Sequence, residues 1–581
     1  MSHFGAALAV AAPTLISFNV SPSPTFLNQA AALFGWGSWL FLMARSSPAG
    51  KHELSGSGTR RLLAALVVLG LAALAAPWWA GQPASLALSA VALIAAAMLT
   101  LAAAVGAQRA GQGLPTFESL CLALLLAGIA GAIIALVQVF APNLPDGTWI
   151  ASSNLPGRAV GNLRQPNHLS SLLLWSTIAV VALAELGRLP RRAAVALLAL
   201  FVFGVVLTAS RTGLVSVGLL ALWGVLDRRL SRPMRATLLA APLVYAVAWF
   251  GMAQWATLSS HAFGGSARLA ESDISGSRFG IWSNTLTLIA REPWLGVGFG
   301  EFNLAWTLTP LPGRPTAFFD HTHNLPLQLA VELGLPLATL VMALLLWALW
   351  RGLRNAWGKD GPLGHAQRAA MLMVVMIGLH SLLEYPLWYA YFLLPAAWAW
   401  GFALGGDDRS PADAGDAARA ASGRASDGRS TSWLQWGGAA LMVGAALSVF
   451  DYLRVAAIFQ APEGAAPLEQ RVEAGRRSLF FAHHADYAAV TSGVRAREPE
   501  RSFASTTHYL LDTRLMIAWA EWLESRGQHD LARHLAARLR EFRKPDAESF
   551  FAPCANPERA RAAFQCQPPT RTPDWREFLQ R

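Results

Sequence analysis

The chain has 581 residues, of which 54% are hydrophobic and 14% are charged, and its mean hydropathy is +0.37. This composition excludes an ordinary soluble domain and a disordered chain, and it predicts an integral membrane protein. The net charge of +11 is dispersed between apolar segments and in the tail, so we expect no nucleic-acid binding.

Apolar runs recur along the sequence, and each is long enough to cross or nearly cross a hydrocarbon core of about 30 Å. They predict an all-α polytopic membrane protein, because a helix satisfies its own backbone hydrogen bonds in lipid. The first run lacks a basic flank and a small-residue cleavage site, so we interpret it as a retained helix. About thirteen transmembrane helices are predicted, near residues 5–20, 29–44, 61–80, 84–106, 117–140, 168–186, 192–209, 212–226, 236–256, 325–350, 369–383, 387–405 and 433–450.

Basic residues are unevenly distributed over the connecting loops. One set of alternate loops holds twenty of them, and the opposite set holds seven over longer sequence. Because cytoplasmic loops retain Lys and Arg, we expect the amino terminus inside and the loop 257–324 outside. The predicted parts are a multi-helix membrane domain, a flexible cytoplasmic linker, a last transmembrane helix and an outer helical domain, at 1–405, 406–432, 433–450 and 451–581.

The terminal domain has two sequence features of its own. Residues 518–533 have amphipathic spacing on both sides of Gly527, which resembles a tetratricopeptide hairpin and fits a plain helical hairpin equally well. Cys554 and Cys566 lie close together, so a disulfide between them is one interpretation in an oxidising compartment. No Cys/His spacing typical of structural zinc is present in the sequence.

The stretch Asp320-His321-Thr322-His323-Asn324 lies where the long polar loop meets the apolar run at Leu325. Ionisable groups at a membrane edge are functional candidates, and an imidazole can act as a general base near neutral pH. A helix-capping cluster is the structural alternative. A metal site fits less well, because the two histidines are two residues apart on a loop and further ligands are not evident.

Three more stretches place polar groups at outer helix ends. In residues 161–168, the excess of amide and imidazole groups favours ligand contact, although Asn167 could simply cap the following helix. Arg211 lies between two apolar runs, and Arg278 begins an amphipathic segment of the long loop. Their guanidinium forks suit a phosphate, and for Arg211 snorkelling to lipid headgroups is the alternative.

The stretch from His380 to Tyr389 adds an acid, Glu384, and two phenols, Tyr385 and Tyr389. Interfacial tyrosines also form structural belts, so a purely structural role stays open here. A flippase or transporter needs ionisable residues at mid-membrane, whereas the candidates here gather on one face. The glycines of residues 296–300 follow no strand, and a dinucleotide site is therefore not expected.

Three of these stretches resemble the superfamily of O-antigen ligases and bacterial protein O-oligosaccharyltransferases, and the similarity spans most of the chain. The ligase pattern of His, Asn, nine residues and Gly is met by His323, Asn324 and Gly334. Leu337 stands where that pattern usually has a small or polar residue. The stretches that carry the resemblance are residues 161–168, 320–328 and 380–391.

The resemblance implies a C-type membrane glycosyltransferase in a bacterial inner membrane, with its active site and terminal domain in the periplasm. It implies a glycan donor on undecaprenyl pyrophosphate, inversion at the transferred sugar, and no metal or cofactor. It implies His323 as the base and Arg211 and Arg278 as pyrophosphate-binding residues. It further implies Gln165 and Tyr385 as supporting groups, with Tyr389 as the rival of Tyr385. The further substrate-binding candidates are Arg164, Gln165, Asn167, His168, His321, Asn324, Glu384 and Tyr389.

The leading hypothesis is en bloc transfer of an oligosaccharide to Ser or Thr hydroxyls of exported proteins such as pilins. The motifs at residues 161–168 and 384–389 and the sizeable terminal domain are most similar to the protein-glycosylating branch. Transfer of O-antigen to the lipid A core and polymerisation of repeat units stay open. The expected partners are the lipid-linked donor, a protein or lipid A core acceptor, and membrane lipids.

Overall fold

A computed structural model describes residues 2–46, 56–259, 261–266, 276–405, 432–493 and 498–579. Within these ranges the regular structure is helical, and the strand-like pairing consists of one isolated bridge between Val20 and Ser23. The predicted all-α fold is therefore confirmed. The predicted linker lies outside the described residues from 406 to 431.

A helix coincides with each predicted apolar run, with ends shifted by several residues. Nine helices of the described residues are long and apolar enough to span a membrane, which makes the chain a polytopic membrane protein. The expected number of about thirteen crossings stays a prediction. The helices are Ser2–Leu15, Phe26–Ser46, Ser57–Trp79, Ala84–Arg109, Gly113–Phe140, Pro166–Glu185, Arg191–Thr208, Arg211–Leu226, Arg232–Ser259, Leu325–Trp357, Gly361–Ser381, Ala390–Leu404 and Ser432–Phe459.

The chain divides into two compact units. The first unit holds most of the apolar helices, and the second holds the long loop and the terminal segment, defined as residues 450–581. The first unit comprises residues 1–66, 93–272 and 343–449, and the second comprises residues 67–92, 273–342 and 450–581.

The helix Pro166–Glu185 is the centre of the first unit, because protein buries it on all sides. Its sequence mixes apolar residues with Ser and Thr, which is typical of helices that pack against other helices in a membrane. Ser176 Oγ donates to the Leu124 carbonyl at 2.7 Å, and the Trp175 indole donates to the Met373 carbonyl at 3.0 Å. Both bonds tie the central helix to neighbouring helices.

A buried ion pair joins Asp227 to Arg368 in the first unit. Arg368 Nε lies 2.7 Å from Asp227 Oδ2, and both side chains are 0% exposed. Arg368 also donates to the carbonyls of Ala356 and Lys359, and the Trp223 indole donates to the Asp227 carboxylate. A buried charge needs a partner and hydrogen bonds, so this arrangement fastens the ends of three helices to one another.

The long loop and the terminal segment both contribute to a hydrophobic core of the second unit. Phe302 and Trp306 of the loop and Leu515 and Phe542 of the terminal segment are each 0% exposed and belong to this core. The predicted outer domain at residues 451–581 stays a prediction. In the structure, apolar residues of the terminal helices Thr513–Ser525 and His529–Glu541 pack with residues of the loop in this core.

Polar contacts reinforce this shared core. Arg314 Nε lies 2.9 Å from Glu541 Oε2, and the guanidinium covers the Trp306 ring at 4.6 Å from its centroid. Burial lowers the pKa of His534 to about 4, and its Nε2 donates to the Leu308 carbonyl at 2.7 Å. Both bonds connect a terminal helix to the loop.

The structure contains three local features that the sequence predicts for the second unit. The amphipathic segment after Arg278 is a helix, the predicted hairpin turns at Gly527 with φ 75°, and Cys554 is disulfide-bonded to Cys566. The loop and terminal helices are Gly276–Arg291, Phe302–Leu308, Leu468–Gly475, Ala482–Thr491, Pro499–Thr506, Thr513–Ser525 and His529–Glu541.

The buried ion pair predicts an asymmetry between two aspartates. Asp227→Ala should lower the free energy of unfolding by about 3–5 kcal/mol, because it leaves the Arg368 charge buried without its partner. Asp360→Ala breaks an ion pair with Arg229 whose side chains are 81% and 41% exposed, and should cost about 0–1 kcal/mol. Denaturant unfolding in detergent micelles, followed by tryptophan fluorescence, measures both losses. Equal losses would contradict the structural role assigned to the buried pair.

Candidate active site

Residues 161–168 of the first unit form a turn that hydrogen bonds connect to neighbouring segments. Gln138 Oε1 accepts from the backbone N–H groups of Val160 and Gly161, at 2.9 and 2.8 Å. The Asn162 amide donates to the carbonyls of Leu15 and Trp149, at 2.7 and 2.9 Å. The turn is therefore rigid where it enters the central helix.

The cap of the central helix is Gln165, whose Oε1 accepts from the His168 backbone N–H at 2.7 Å. The capping role considered for Asn167 is therefore wrong, because the preceding glutamine already fills it. Arg164 has a left-handed backbone, with φ 56°, and its side chain donates to the Pro24 carbonyl at 3.0 Å. Both Gln165 and Arg164 thus have structural partners, Gln165 within the turn and Arg164 at Pro24.

Asn167 links two helix ends through its side-chain amide. Its Nδ2 donates to Glu384 Oε1 at 3.0 Å, and its Oδ1 accepts from Ser210 Oγ at 2.6 Å. Ser210 in turn caps the next helix by accepting from the Gly213 N–H at 3.0 Å. Arg211 is the first residue of that helix, so the hydrogen-bond chain fixes the backbone that carries its guanidinium.

His168 lies in an aromatic surround. Its ring is 3% exposed, its Nδ1 lies 3.2 Å from the Tyr391 hydroxyl, and the Tyr389 ring meets it edge-on at 4.6 Å. Tyr385 stacks beside Tyr389 with ring centroids 6.1 Å apart. Both rival tyrosines therefore belong to one aromatic group, together with His380, whose Nδ1 lies 2.8 Å from a serine hydroxyl of the central helix.

In the second unit, residues 320–324 form the His-Thr-His loop. Asp320 Oδ1 lies 3.1 Å from His321 Nδ1. Burial opposes ionisation of Asp320, but the nearby rings of His321 and His323 outweigh it and lower the pKa of the carboxyl group. The Asp320 carboxylate and the two imidazoles of the loop are thus electrostatically coupled.

His323 occupies a left-handed backbone conformation, with φ 55°. A residue with a Cβ adopts this region at a cost, so its occurrence at a candidate base is a pointer to function. Neighbouring bonds maintain it. The Thr322 N–H donates to Gln328 Oε1 at 2.8 Å, and the Trp282 indole donates to the Thr322 carbonyl at 3.0 Å. Asn324 accepts from the Leu327 N–H at 3.1 Å and so caps the following helix.

Arg278 and the His-Thr-His loop are brought together by a shared helix face. Arg278 and Trp282 are four residues apart in the helix Gly276–Arg291, so their side chains lie on the same side of it. Because the Trp282 indole bonds the Thr322 carbonyl, this side faces the loop. Among the predicted site residues, the second unit therefore collects Arg278, His321, His323 and Asn324.

Gly334 breaks the long helix that follows the loop. Its φ of 75° and ψ of 162° are not helical, and the freed carbonyls of Val331 and Glu332 accept from the backbone N–H groups of Val297 and Gly298. The turn that contains Val297 and Gly298 therefore binds the broken helix through backbone hydrogen bonds. Beside the break lies an apolar cavity of about 610 Å³, lined by Trp79, Trp294, Leu295, Leu333, Pro336, Leu337 and Leu340.

The first unit collects the other predicted residues, namely Arg164, Gln165, Asn167, His168, Arg211, Glu384, Tyr385 and Tyr389. In the part of the chain that the structure describes, no group of three His, Cys, Asp or Glu side chains could hold a metal ion. Sequence reasoning missed Tyr391, Gln328 and Asn303. The first two lie at the ends of the stretches that carry the resemblance, whereas no local signal marks Asn303.

This fold and these residues define a polytopic membrane protein with a basic, histidine-containing loop. Comparison with protein families gives three matches along the chain. Residues 196–342 match the family described as O-antigen ligase, and residues 159–184 match the family described as protein glycosylation ligase. Residues 368–548 match the C-terminal region of the family described as virulence factor membrane-bound polymerase.

Two relatives from Acinetobacter baylyi are similar to part of the chain. A general O-oligosaccharyltransferase is 29% identical over 276 residues, which is 44% of this chain and 46% of the relative. A ComP-specific O-oligosaccharyltransferase is 26% identical over 269 residues, which is 44% of this chain and 45% of the relative. The match thus spans less than half of either relative. Parts of the chain are thus similar to O-antigen ligases and to O-oligosaccharyltransferases.

The left-handed backbone at His323 predicts opposite effects of glycine at two histidines. His323→Gly should be more stable than His323→Ala by about 1 kcal/mol, because alanine, unlike glycine, is strained at positive φ. At His365, inside the helix Gly361–Ser381, the glycine variant should instead be less stable than the alanine variant by about 1 kcal/mol. Denaturant unfolding of the four purified variants measures both differences. The same sign at both positions would exclude a left-handed backbone at His323.

Proposed function

We propose that this protein transfers an oligosaccharide en bloc from undecaprenyl pyrophosphate to Ser or Thr hydroxyls of exported proteins such as pilins. The observation that carries the proposal is His323, held in a strained backbone conformation within the region that matches O-antigen ligases. The protein-glycosylation match at residues 159–184 and the printed names of the two relatives support a protein acceptor.

In the proposed reaction, His323 accepts the proton of the acceptor hydroxyl while the hydroxyl oxygen attacks the anomeric carbon of the first sugar. The bond between that carbon and the phosphate oxygen breaks, and its electron pair leaves with undecaprenyl pyrophosphate. Attack from the opposite face inverts the anomeric centre. The leaving group is already anionic, so the reaction needs a base and cations but no strong acid, and it proceeds without a metal.

Arg211 and Arg278 are proposed to bind the pyrophosphate. A guanidinium donates bidentately to phosphate oxygens and stays charged at any physiological pH. Arg211 also opens the helix Arg211–Leu226, and a helix amino terminus favours an anion through its free N–H groups and dipole. Tyr385 or Tyr389, beside Glu384, then supports the donor sugars.

The apolar cavity beside Gly334 suits the isoprenoid tail of such a donor. Its lining is hydrocarbon and indole, and Trp294 is 76% exposed, as expected of a residue at a membrane–water boundary. Leu337, which departs from the usual ligase pattern, is part of this lining. A polyprenyl chain would bury the exposed apolar surface that the cavity presents.

The proposal includes an inner-membrane location with the amino terminus in the cytoplasm and the reacting loop in the periplasm. Its support is the uneven distribution of Arg and Lys over alternate loops. Two further acceptors keep specific support. The O-antigen ligase match favours the lipid A core, and the polymerase match at residues 368–548 favours a growing glycan.

An acceptor assay separates these functions. Purified protein in detergent is given an undecaprenyl-pyrophosphate-linked oligosaccharide and either a pilin or a lipid A core, and products are weighed by mass spectrometry. We expect the pilin to gain one whole oligosaccharide, and His323→Ala to lower the initial rate by about 100- to 10,000-fold. Product on the lipid A core alone would favour the ligase, and lengthened glycan without acceptor would favour the polymerase. A fully active, folded His323→Ala variant would remove His323 as the base.

Substitution of an arginine by lysine tests the proposed pyrophosphate contact. Arg211→Lys should lower the transfer rate on the order of 10-fold or more, because a point charge lacks the bidentate fork. Arg158→Lys is the matched control, since the Arg158 Nε donates to the Thr208 carbonyl at 3.0 Å and a lysine can keep one such bond. Initial rates at varied donor concentration measure both effects. Full activity of Arg211→Lys would leave this residue a snorkelling role.

A further inference from the structure

Asn303 connects the terminal segment to the residue before the His-Thr-His loop. It lies in the helix Phe302–Leu308, and only 4% of it is exposed. Its Oδ1 accepts from the Leu511 backbone N–H at 2.8 Å, and its Nδ2 donates to the Phe319 carbonyl at 2.8 Å. The Asn303 amide thus hydrogen-bonds the Leu511 N–H and the Phe319 carbonyl. Loss of the amide would leave both backbone groups without this partner.

Phe319, whose carbonyl Asn303 binds, also contacts the candidate base His323 through its ring. The Phe319 ring meets the His323 ring edge-on, with centroids 5.3 Å apart and planes at 90°. The Phe319 ring also packs edge-on against Trp306, with centroids 5.7 Å apart. A fixed backbone at Phe319 therefore sets the position of a ring that the imidazole of His323 contacts directly.

Neighbouring contacts show that the terminal segment holds this part of the loop firmly. His508 Nδ1 lies 2.8 Å from the Glu301 carboxylate, and both side chains are at most 3% exposed. The Phe542 ring stacks on Phe318, with centroids 4.2 Å apart. The residues before His323 are thus fastened by the terminal segment, whereas Gln328 fastens the loop from the following helix.

We propose that Asn303 is a positioning residue for His323, and that the terminal segment acts in catalysis through it. The inference rests on the proposed function, in which His323 is the base. A base must be held near its attack geometry, and a displacement of about 1 Å can cost on the order of 100-fold in rate. Loss of the Asn303 amide frees the Phe319 carbonyl and lets the ring beside His323 shift.

The test uses the full-length protein in the acceptor assay described above. Asn303→Ala should lower kcat on the order of 10- to 100-fold and leave the KM values of donor and acceptor within about 3-fold. Asn284→Ala is the matched control. Asn284 is 2% exposed and its Nδ2 donates to the Pro312 carbonyl at 3.0 Å, so the same substitution removes a similar bond in the same unit. It should keep near-normal kcat.

A double-mutant cycle distinguishes an effect of Asn303 that acts through His323 from an effect that is independent of His323. If Asn303 acts through His323, Asn303→Ala should have little effect in the His323→Ala background. Full additivity of the two losses, or a kcat loss in Asn284→Ala as large as in Asn303→Ala, would overturn the positioning role. Normal activity of folded His323→Ala would overturn the proposed base itself.

A second variant keeps the test valid if Asn303→Ala does not fold. Phe319→Leu removes the aromatic contact with His323, while the backbone carbonyl that Asn303 binds stays in place. It should lower kcat with unchanged KM, and have little effect in the His323→Ala background. Unchanged kcat in Phe319→Leu would overturn the relay from Asn303 to the base.

Discussion

Polar groups away from water must find partners within the protein, and this constraint organises the whole structure. The central helix Pro166–Glu185 meets it with serine, tryptophan and asparagine bonds to its neighbours. The same constraint explains the polar residues of the motif at residues 161–168. Their side-chain amides form hydrogen bonds that stabilise the fold. They contribute to the proposed chemistry by fixing the helix that begins with Arg211.

The break at Gly334 shows the constraint acting on the backbone. A helix that stops hydrogen bonding to itself in an apolar setting exposes carbonyl groups, and the turn at residues 293–298 supplies the missing donors. The glycine of the ligase pattern is therefore required by conformation, because only glycine adopts its φ of 75° and ψ of 162° without strain. The cavity proposed to take the lipid tail lies beside this break.

Local patterns predicted local structure well. Each apolar run coincides with a helix, because the length and hydrophobicity of a run decide that outcome. The hairpin at Gly527 and the Cys554–Cys566 disulfide could also be predicted, because each joins residues that are close in sequence. The cap at Gln165 was missed, because asparagine is the commoner capping residue. The bond from Asn303 to Leu511 has no local signature, and only the folded chain brings these two residues together.

The chemistry proposed for this protein divides two tasks between two side-chain types. The donor phosphates carry negative charge before, during and after the reaction, and arginine, which keeps its proton, suits such a ligand throughout. The acceptor hydroxyl must lose a proton once per turnover, and imidazole can take it up and release it near neutral pH. A base of this kind is effective only when it is held in place. The strained backbone of His323, bonded from the following helix and packed from the preceding residues, meets that requirement and gives the terminal segment a part in catalysis.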